Sequence, residues 1–396
     1  MRVVVVGAGL AGLRTVEHLR QLGHAGPLTL LGAEMHLPYD RPPLSKEVLR
    51  GERPIVYLRD ASKYAELDLD LRLGTAAVAL DAGQRTVALS DGEQVPFDSL
   101  VIATGATPRT LPGSEHLSGV HTLRTLDDSA ALHEQLVQAG AVAVVGGGFI
   151  GCEVAASARK LGAEVTLVEA LPELLIRALG EEVGREVAAL HERNGVQVRL
   201  GVAVQAIEGD GRVERLVLAD GTVIAAANVV VGLGVRPETD WLDGSGLTID
   251  NGVVCDRWCE TNVSGVFAVG DMSRWFNEPT ARHERVEHWT NAAEQAAVVA
   301  HNVLATPADR QVYAPVPYFW SDQYDVKIQA LGFPSPDDDV QLYKAGPHQR
   351  TVALYAAAGI LTAVVGFSAT ATVMRLRPLL AGRASLAEAA VAIGEP

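Results

Sequence analysis

The chain has 396 residues, 48% of them hydrophobic and 20% charged, the make-up of a folded protein with room for two or three cores. Its 33 Lys and Arg against 48 Asp and Glu leave a net charge of −15, which argues against binding nucleic acid or anionic lipid with the whole surface. Three cysteines, Cys152, Cys255 and Cys259, are an odd number in a long chain and point to a reducing cytoplasm rather than a disulfide framework.

In chain order, Arg2 to Val6 is apolar but soon interrupted by Gly7, Gly9 and Gly12, with no small-residue cleavage site, so it predicts a first strand and not a targeting segment. Gly7-Ala8-Gly9-Leu10-Ala11-Gly12 then opens a helix. A second strand, Leu28 to Leu31, is followed by Gly32-Ala33-Glu34. An Ala thus stands at one plausible position for an acid on a ribose, with Glu34 one residue on; either Glu34 reaches back or this ribose lacks a carboxylate. In Pro38-Tyr39-Asp40-Arg41-Pro42-Pro43-Leu44-Ser45-Lys46 the prolines hold an extended approach, and Ser45 can cap a helix that carries Lys46 into a cleft.

The pattern then repeats. Strand Ala141 to Val145 precedes Gly146-Gly147-Gly148-Phe149-Ile150-Gly151, a helix over Cys152 to Leu161 and a strand over Glu164 to Val168 that ends on Glu169, 21 residues after Gly148. In each copy the first glycine permits the tight turn, the second lets backbone approach a pyrophosphate and the third packs helix on strand. Two copies imply two dinucleotides in one chain, and the ordinary reason to hold two is to pass a hydride between them. Glu169 can bind both adenosine-ribose hydroxyls and would repel a 2′-phosphate; with no Arg until Arg177, NADH is expected over NADPH. Strands alternating with helices to about residue 270 predict an α/β protein. After about residue 314 prolines and the aromatics Tyr318, Phe319 and Trp320 lead to Thr351 to Met374, which carries no charge. Its β-rich halves, Thr351 to Ala356 and Ile360 to Phe367, split at Ala358-Gly359 and predict a buried hairpin rather than a membrane span.

The ordered set of the two fingerprints, Pro38 to Lys46, Ala103-Thr104-Gly105-Ala106, Gly232-Leu233-Gly234-Val235-Arg236-Pro237, Val266-Phe267-Ala268-Val269-Gly270-Asp271 and Trp320-Ser321-Asp322-Gln323 resembles the FAD-containing, NADH-dependent ferredoxin reductases of cytochrome P450 and aromatic-ring dioxygenase systems, the putidaredoxin reductase family. The resemblance covers essentially the whole chain. It implies an α/β, glutathione-reductase-like architecture of two Rossmann-like dinucleotide-binding domains plus a C-terminal α+β domain. The FAD domain would be discontinuous, residues 1–110 and 238–313, with an NADH domain at 111–237 and the C-terminal domain at 314–396. On the same ground Asp271 would contact the FAD ribityl or pyrophosphate region, although Gly-Asp before Met-Ser also suits a helix cap. Ala11, Arg41, Lys46, Ala77, Arg124 and Trp289 match further FAD-contact positions. Lys46 would lie near the flavin N5, paired with Glu153, and stabilise negative charge arriving with the hydride; Trp320 and Trp289 would pack at the flavin.

Disulfide reductases on this architecture need a reactive Cys pair, and related NADH peroxidases and oxidases need one Cys near Ser45; the sequence has neither. The histidines show no spacing that predicts a metal site. Electrons would therefore leave one at a time to an external carrier, which the resemblance implies is a small acidic iron-sulfur ferredoxin. Rubredoxin reductase, a general NADH diaphorase, and a redox-sensing interaction protein like apoptosis-inducing factor are the alternatives. Oligomeric state is left open. From Val340 through Ala387 there is no Asp or Glu, whereas Lys344, Arg350, Arg375, Arg377 and Arg383 are positive, so Arg375, Arg377 and Arg383 are the expected ferredoxin-docking residues.

Overall fold

Four consecutive valines, Val3–Val6, have no polar face, and the structure buries all four as the central strand of a five-stranded parallel sheet. The computed structural model describes residues 1–114, 116–138, 140–345 and 350–394. The chain divides into two units: Met1–Asp40, Ile55–Thr107 and Arg236–Pro315 form one, and Arg41–Pro54, Pro108–Val235 and Val316–Pro396 the other.

In the first unit Val3–Val6 lies between Leu28–Gly32 and Ser99–Ile102, with Asp70–Leu73 and Val266–Ala268 at the edges, all parallel. Helix Leu10–Gln21 buries Leu13, Val16 and Leu19 at a three-residue spacing, each worth about 1.5–3 kcal/mol relative to exposure. Helix Trp289–Leu304 packs against it.

The second unit repeats this plan. Its parallel sheet runs Gln197–Arg199, Glu164–Val168, Ala141–Val145, Asn228–Val231 and Val120–His121, again with the fingerprint strand in the middle. Helix Phe149–Lys160 begins three residues before the sequence-based boundary because Gly148 is its N-cap. The unit also holds a five-stranded antiparallel sheet in the order Tyr318–Gln323, Val326–Gly332, Ile360–Phe367, Arg350–Ala357, Asp339–Ala345.

The charge-free stretch forms the two inner strands Arg350–Ala357 and Ile360–Phe367, joined at Ala358-Gly359 with φ of 50° and 76°, the double positive φ of a tight hairpin turn. Its lack of charge follows from burial on both faces. One face, with Leu354 and Val364, packs under the helices Thr370–Ala381 and Leu386–Ile393. The other, with Ala353, Tyr355 and Val365, joins Leu174, Leu179 and Val187 in one core, and the Tyr355 hydroxyl donates to the Leu179 carbonyl at 2.6 Å. Among the described residues no helix is long and apolar enough to cross a membrane.

Candidate active site

The two glycine fingerprints have the same geometry at every comparable point. A Cβ on Gly7 would stand 2.2 Å from the Ala103 carbonyl oxygen, and one on Gly146 would stand 2.3 Å from that of Gly232. A Cβ on Gly12 would reach 1.9 Å from the Gly7 oxygen, and one on Gly151 2.0 Å from the Gly146 oxygen, so only glycine lets each helix approach its strand. Gly9 has nothing within 4 Å, and Gly148 meets only the Gly232 oxygen at 3.9 Å. Gly9 and Gly148 are the N-caps of their helices, with no capping side chain and no acid in the first turn. Leu10 opens the first helix, and Phe149 and Ile150 open the second, with Ile150 exposed. Each cradle therefore offers free backbone N–H donors and room for a phosphate, the donor set a dinucleotide requires. FAD and NADH both fit such sites.

The cradles differ at the end of the strand that follows each helix. Gly146 donates to the Val168 carbonyl, which puts Glu169 next to the loop; its carboxylate accepts from the Gly147 N–H at 2.6 Å and the Leu171 N–H at 2.8 Å. Gly7 donates in the same way to Leu31, so the residue equivalent to Glu169 is Gly32, not Ala33. Glu34 lies two residues on and accepts from the Tyr39 hydroxyl at 2.5 Å. Register decides this, and the spacing from the glycines could not.

In the first unit, Thr104 donates to the Glu238 carbonyl at 2.9 Å, and Gly105 accepts from the Glu238 N–H. Gly270, at φ 79°, donates to Gln295 Oε1 and lies close to Ala11, where its own Cβ would be 3.1 Å from the Ala11 Cβ. Asp271 is in the middle of the short turn Gly270–Met272, not at a cap, because Val269 occupies that place. Trp289 starts its helix and donates from Nε1 to Asp40 at 2.7 Å. Ala77 lies in a separate three-stranded ribbon, Ala77–Asp81, Thr86–Leu89 and Gln94–Pro96.

In the second unit, Arg41 donates to the Arg124 carbonyl at 2.7 Å, bringing these two together. Arg124 precedes the capping box of Thr125 and Asp128 and donates its N–H to Asp128. Gly234, at φ 85°, accepts from the Arg109 N–H. The expected helix through Lys46 is absent: Pro42–Ser45 form a single 3-10 turn and Lys46 follows it with φ −125°. Two prolines fix the start of that turn, and the Ser45 hydroxyl, rather than capping, donates to Glu153 at 2.5 Å.

That acid is the centre of a buried cluster. Lys46 and Glu153, 5% and 3% exposed, form an ion pair at 2.6 Å. Lys46 Nζ also donates to the Pro42 carbonyl at 2.9 Å, and Ser321 donates to the other Glu153 oxygen at 2.7 Å. Ser321 and Gln323 were not expected. Their signal was two polar residues at alternate positions of a strand, both of them buried. Trp320, on the opposite face, stacks on Tyr318 at 5.9 Å between centroids, with Lys327 Nζ 5.9 Å from its ring. Arg375, Arg377 and Arg383 are exposed, and Arg375 donates to the Ala392 carbonyl at 3.2 Å.

The three cysteines are buried and reduced. Burial pushes the Cys152 and Cys255 thiols far up and the Cys259 thiol up to about 12, so none is a ready nucleophile. Among the described residues no group of His, Cys, Asp and Glu is arranged to hold a metal.

Two parallel sheets, each with a phosphate cradle at the end of its central strand, define an oxidoreductase of the two-dinucleotide class. The chain belongs to the pyridine nucleotide-disulphide oxidoreductase family, matched over residues 1–296, and residues 318–394 match the reductase C-terminal domain. It is 42% identical to the anthranilate 1,2-dioxygenase system ferredoxin–NAD(+) reductase component of Burkholderia cepacia, over 83% of this chain and 81% of that one. It is 40% identical to the p-cumate 2,3-dioxygenase counterpart of Pseudomonas putida, over 84% and 81%. Among solved structures, the ferredoxin reductase for the CYP199A2 system from Rhodopseudomonas palustris is 33% identical with a TM-score of 0.93, covering 97% of this chain and 95% of that one. The covalent putidaredoxin reductase-putidaredoxin complex is 31% identical with a TM-score of 0.91, covering 96% and 93%.

Proposed function

We propose that this protein takes electrons from NADH through bound FAD and delivers them to a small acidic iron-sulfur ferredoxin that serves a cytochrome P450 or a ring-hydroxylating oxygenase. The observation that carries the reading is the doubled cradle with an acid, Glu169, beside only the second copy; the relatives' names, components of dioxygenase systems, support ferredoxin as the partner.

FAD, when bound, supplies the conversion from a hydride donor to a one-electron acceptor. The N–H groups at Gly9, Leu10 and Ala11 would hold its pyrophosphate, with Gly7, Gly12 and Ala103 to Gly105 shaping the turn. Glu34, Arg41, Ala77, Arg124, Gly270, Asp271 and Trp289 are assigned its remaining contacts. Gly146, Gly148, Phe149, Ile150 and Gly151 would seat the NADH pyrophosphate, Gly232 and Gly234 its flanking loop, and Glu169 the adenosine ribose. Lys46 holds a cation in a dry setting for the charge that arrives with the hydride, and Glu153 keeps that cation oriented and paired. Trp320 is assigned a packing role against a planar ring.

Residues 1–110 and 238–313 are assigned to FAD, 111–237 to NADH and 314–396 to the C-terminal domain. Arg375, Arg377 and Arg383 are assigned to ferredoxin docking. Three buried, reduced cysteines suit the cytoplasm. Anaerobic titration with NADH, followed by turnover with a panel of carriers, tests the function. One equivalent should bleach the flavin spectrum, and an iron-sulfur ferredoxin should give the highest kcat/KM. A rubredoxin ranking first, or slow turnover with every carrier, would refute the reading.

A further inference from the structure

His191 is a fully buried imidazole that the chemistry above does not use. It belongs to helix Ile176–Arg193, yet both its nitrogens point to residues more than 130 positions away. Nε2 is 3.1 Å from Gln323 Oε1, and Nδ1 is 2.9 Å from the hydroxyl of Tyr324, in the turn after strand Tyr318–Gln323. Gln323 Nε2 donates to Ser321 Oγ at 3.1 Å, and Ser321 donates to Glu153 Oε1 at 2.7 Å. Five side chains from two helices, a strand and a turn thus form one line that ends on the carboxylate paired with Lys46.

The direction of every hydrogen in that line follows from its end. A carboxylate held at 2.6 Å from an ammonium is ionised and only accepts. Ser321 must then donate to it, and the Ser321 oxygen accepts from Gln323. The amide nitrogen of Gln323 therefore faces Ser321, its oxygen faces His191, and His191 carries its proton on Nε2. Nδ1 is left bare and accepts from Tyr324. Because an amide does not readily pass a proton along, the line orients rather than conducts.

We propose that His191 is a positioning residue, which through Gln323 and Ser321 fixes the Glu153 carboxylate and with it the place of the Lys46 ammonium. Burial lowers the His191 pKa to about 4, consistent with the neutral, one-proton ring that the line requires at neutral pH. Its effect on hydride arrival rests on the function proposed above.

The test uses the holoenzyme labelled with 15N-histidine. Long-range proton–nitrogen correlation at pH 7, with the His191 signal assigned by its loss in His191→Phe, should show the Nε2–H tautomer. In Tyr324→Phe the Nδ1 shift should move while that tautomer persists, because direction is set from the Glu153 end. In stopped-flow reduction by NADH, Gln323→Leu should lower the limiting rate about tenfold and leave half-saturation within about twofold of wild type. A proton on Nδ1, a charged ring at pH 7, or an unchanged limiting rate in folded Gln323→Leu overturns the inference. If Gln323→Leu does not fold, the wild-type tautomer decides. Failure of wild type to turn over any ferredoxin would refute the proposed function and leave the tautomer result standing; the opposite tautomer would leave ferredoxin turnover untouched.

Discussion

Replacing Lys46 by Met removes a cation and leaves Glu153 charged, buried and dependent on two hydroxyls. At 2.6 Å and an effective dielectric of about 20 the pair attracts by about 6 kcal/mol, and breaking such a buried pair from one side costs about 3–5 kcal/mol. Lys46→Met/Glu153→Gln should recover most of that loss, to within about 1 kcal/mol of wild type, because an amide oxygen still accepts from Ser321 and no bare charge remains. Neither variant restores the cation, so both should retain FAD and reduce it about 100-fold more slowly with NADH. Urea denaturation reads the stability and stopped-flow absorbance reads the rate. The single variant should lose both properties and the double variant only the rate. A loss below about 1 kcal/mol in Lys46→Met, or a wild-type reduction rate in the double variant, would refute the reasoning.

Exchanging Glu169 for Ala together with Ala170→Arg should move preference toward NADPH, read as the ratio of kcat/KM values; loss of the acceptor for Gly147 and Leu171 N–H groups should also cost about 1–3 kcal/mol of stability. An unmodified enzyme that already prefers NADPH would contradict the role of Glu169. Changing Arg375, Arg377 and Arg383 to Gln should lower kcat/KM for ferredoxin at low salt and flatten its salt dependence, with NADH-to-ferricyanide turnover intact. Unchanged salt dependence would move docking elsewhere. His191 and His288 both have pKa values lowered by burial from 6.5 to about 4. A depressed histidine pKa means the unfolded chain binds more protons below pH 6.5, so stability falls as the solution is acidified, by about 2 kcal/mol per histidine from pH 7 to pH 5. Denaturation midpoints at the two pH values check this, and a flat profile would contradict neutral burial of both rings.

The sequence showed the parts of the fold whose residues have one geometric use. Gly7, Gly12, Gly146 and Gly151 stand where a Cβ would collide with backbone, so spacing alone revealed both cradles. Ala358-Gly359 between two β-rich runs likewise marked the hairpin. What stayed hidden depended on contacts distant along the chain. Ser45 reads as a helix cap because capping is local, whereas its real acceptor, Glu153, lies 108 residues on. His191 and Gln323 are 132 apart, and no periodicity links them. Which residue of the first copy stands level with Glu169 was hidden as well, because strand register, which puts Gly32 there, is set by pairing between strands.

The antiparallel sheet of residues 318–367 has one wall under its own two helices and the other built into the core around Leu174, Leu179 and Val187. A segment that a family comparison separates, at residues 318–394, is therefore not a separable folding unit. Truncating it would strip one side from the parallel-sheet half of the second unit and leave a large apolar wound, and shuffling it between relatives would demand matching partners across the seam. Heat or denaturant should take both halves of this unit through a single transition. One face is obliged to change in step with its own two helices, and the other with the core around Leu174, Leu179 and Val187.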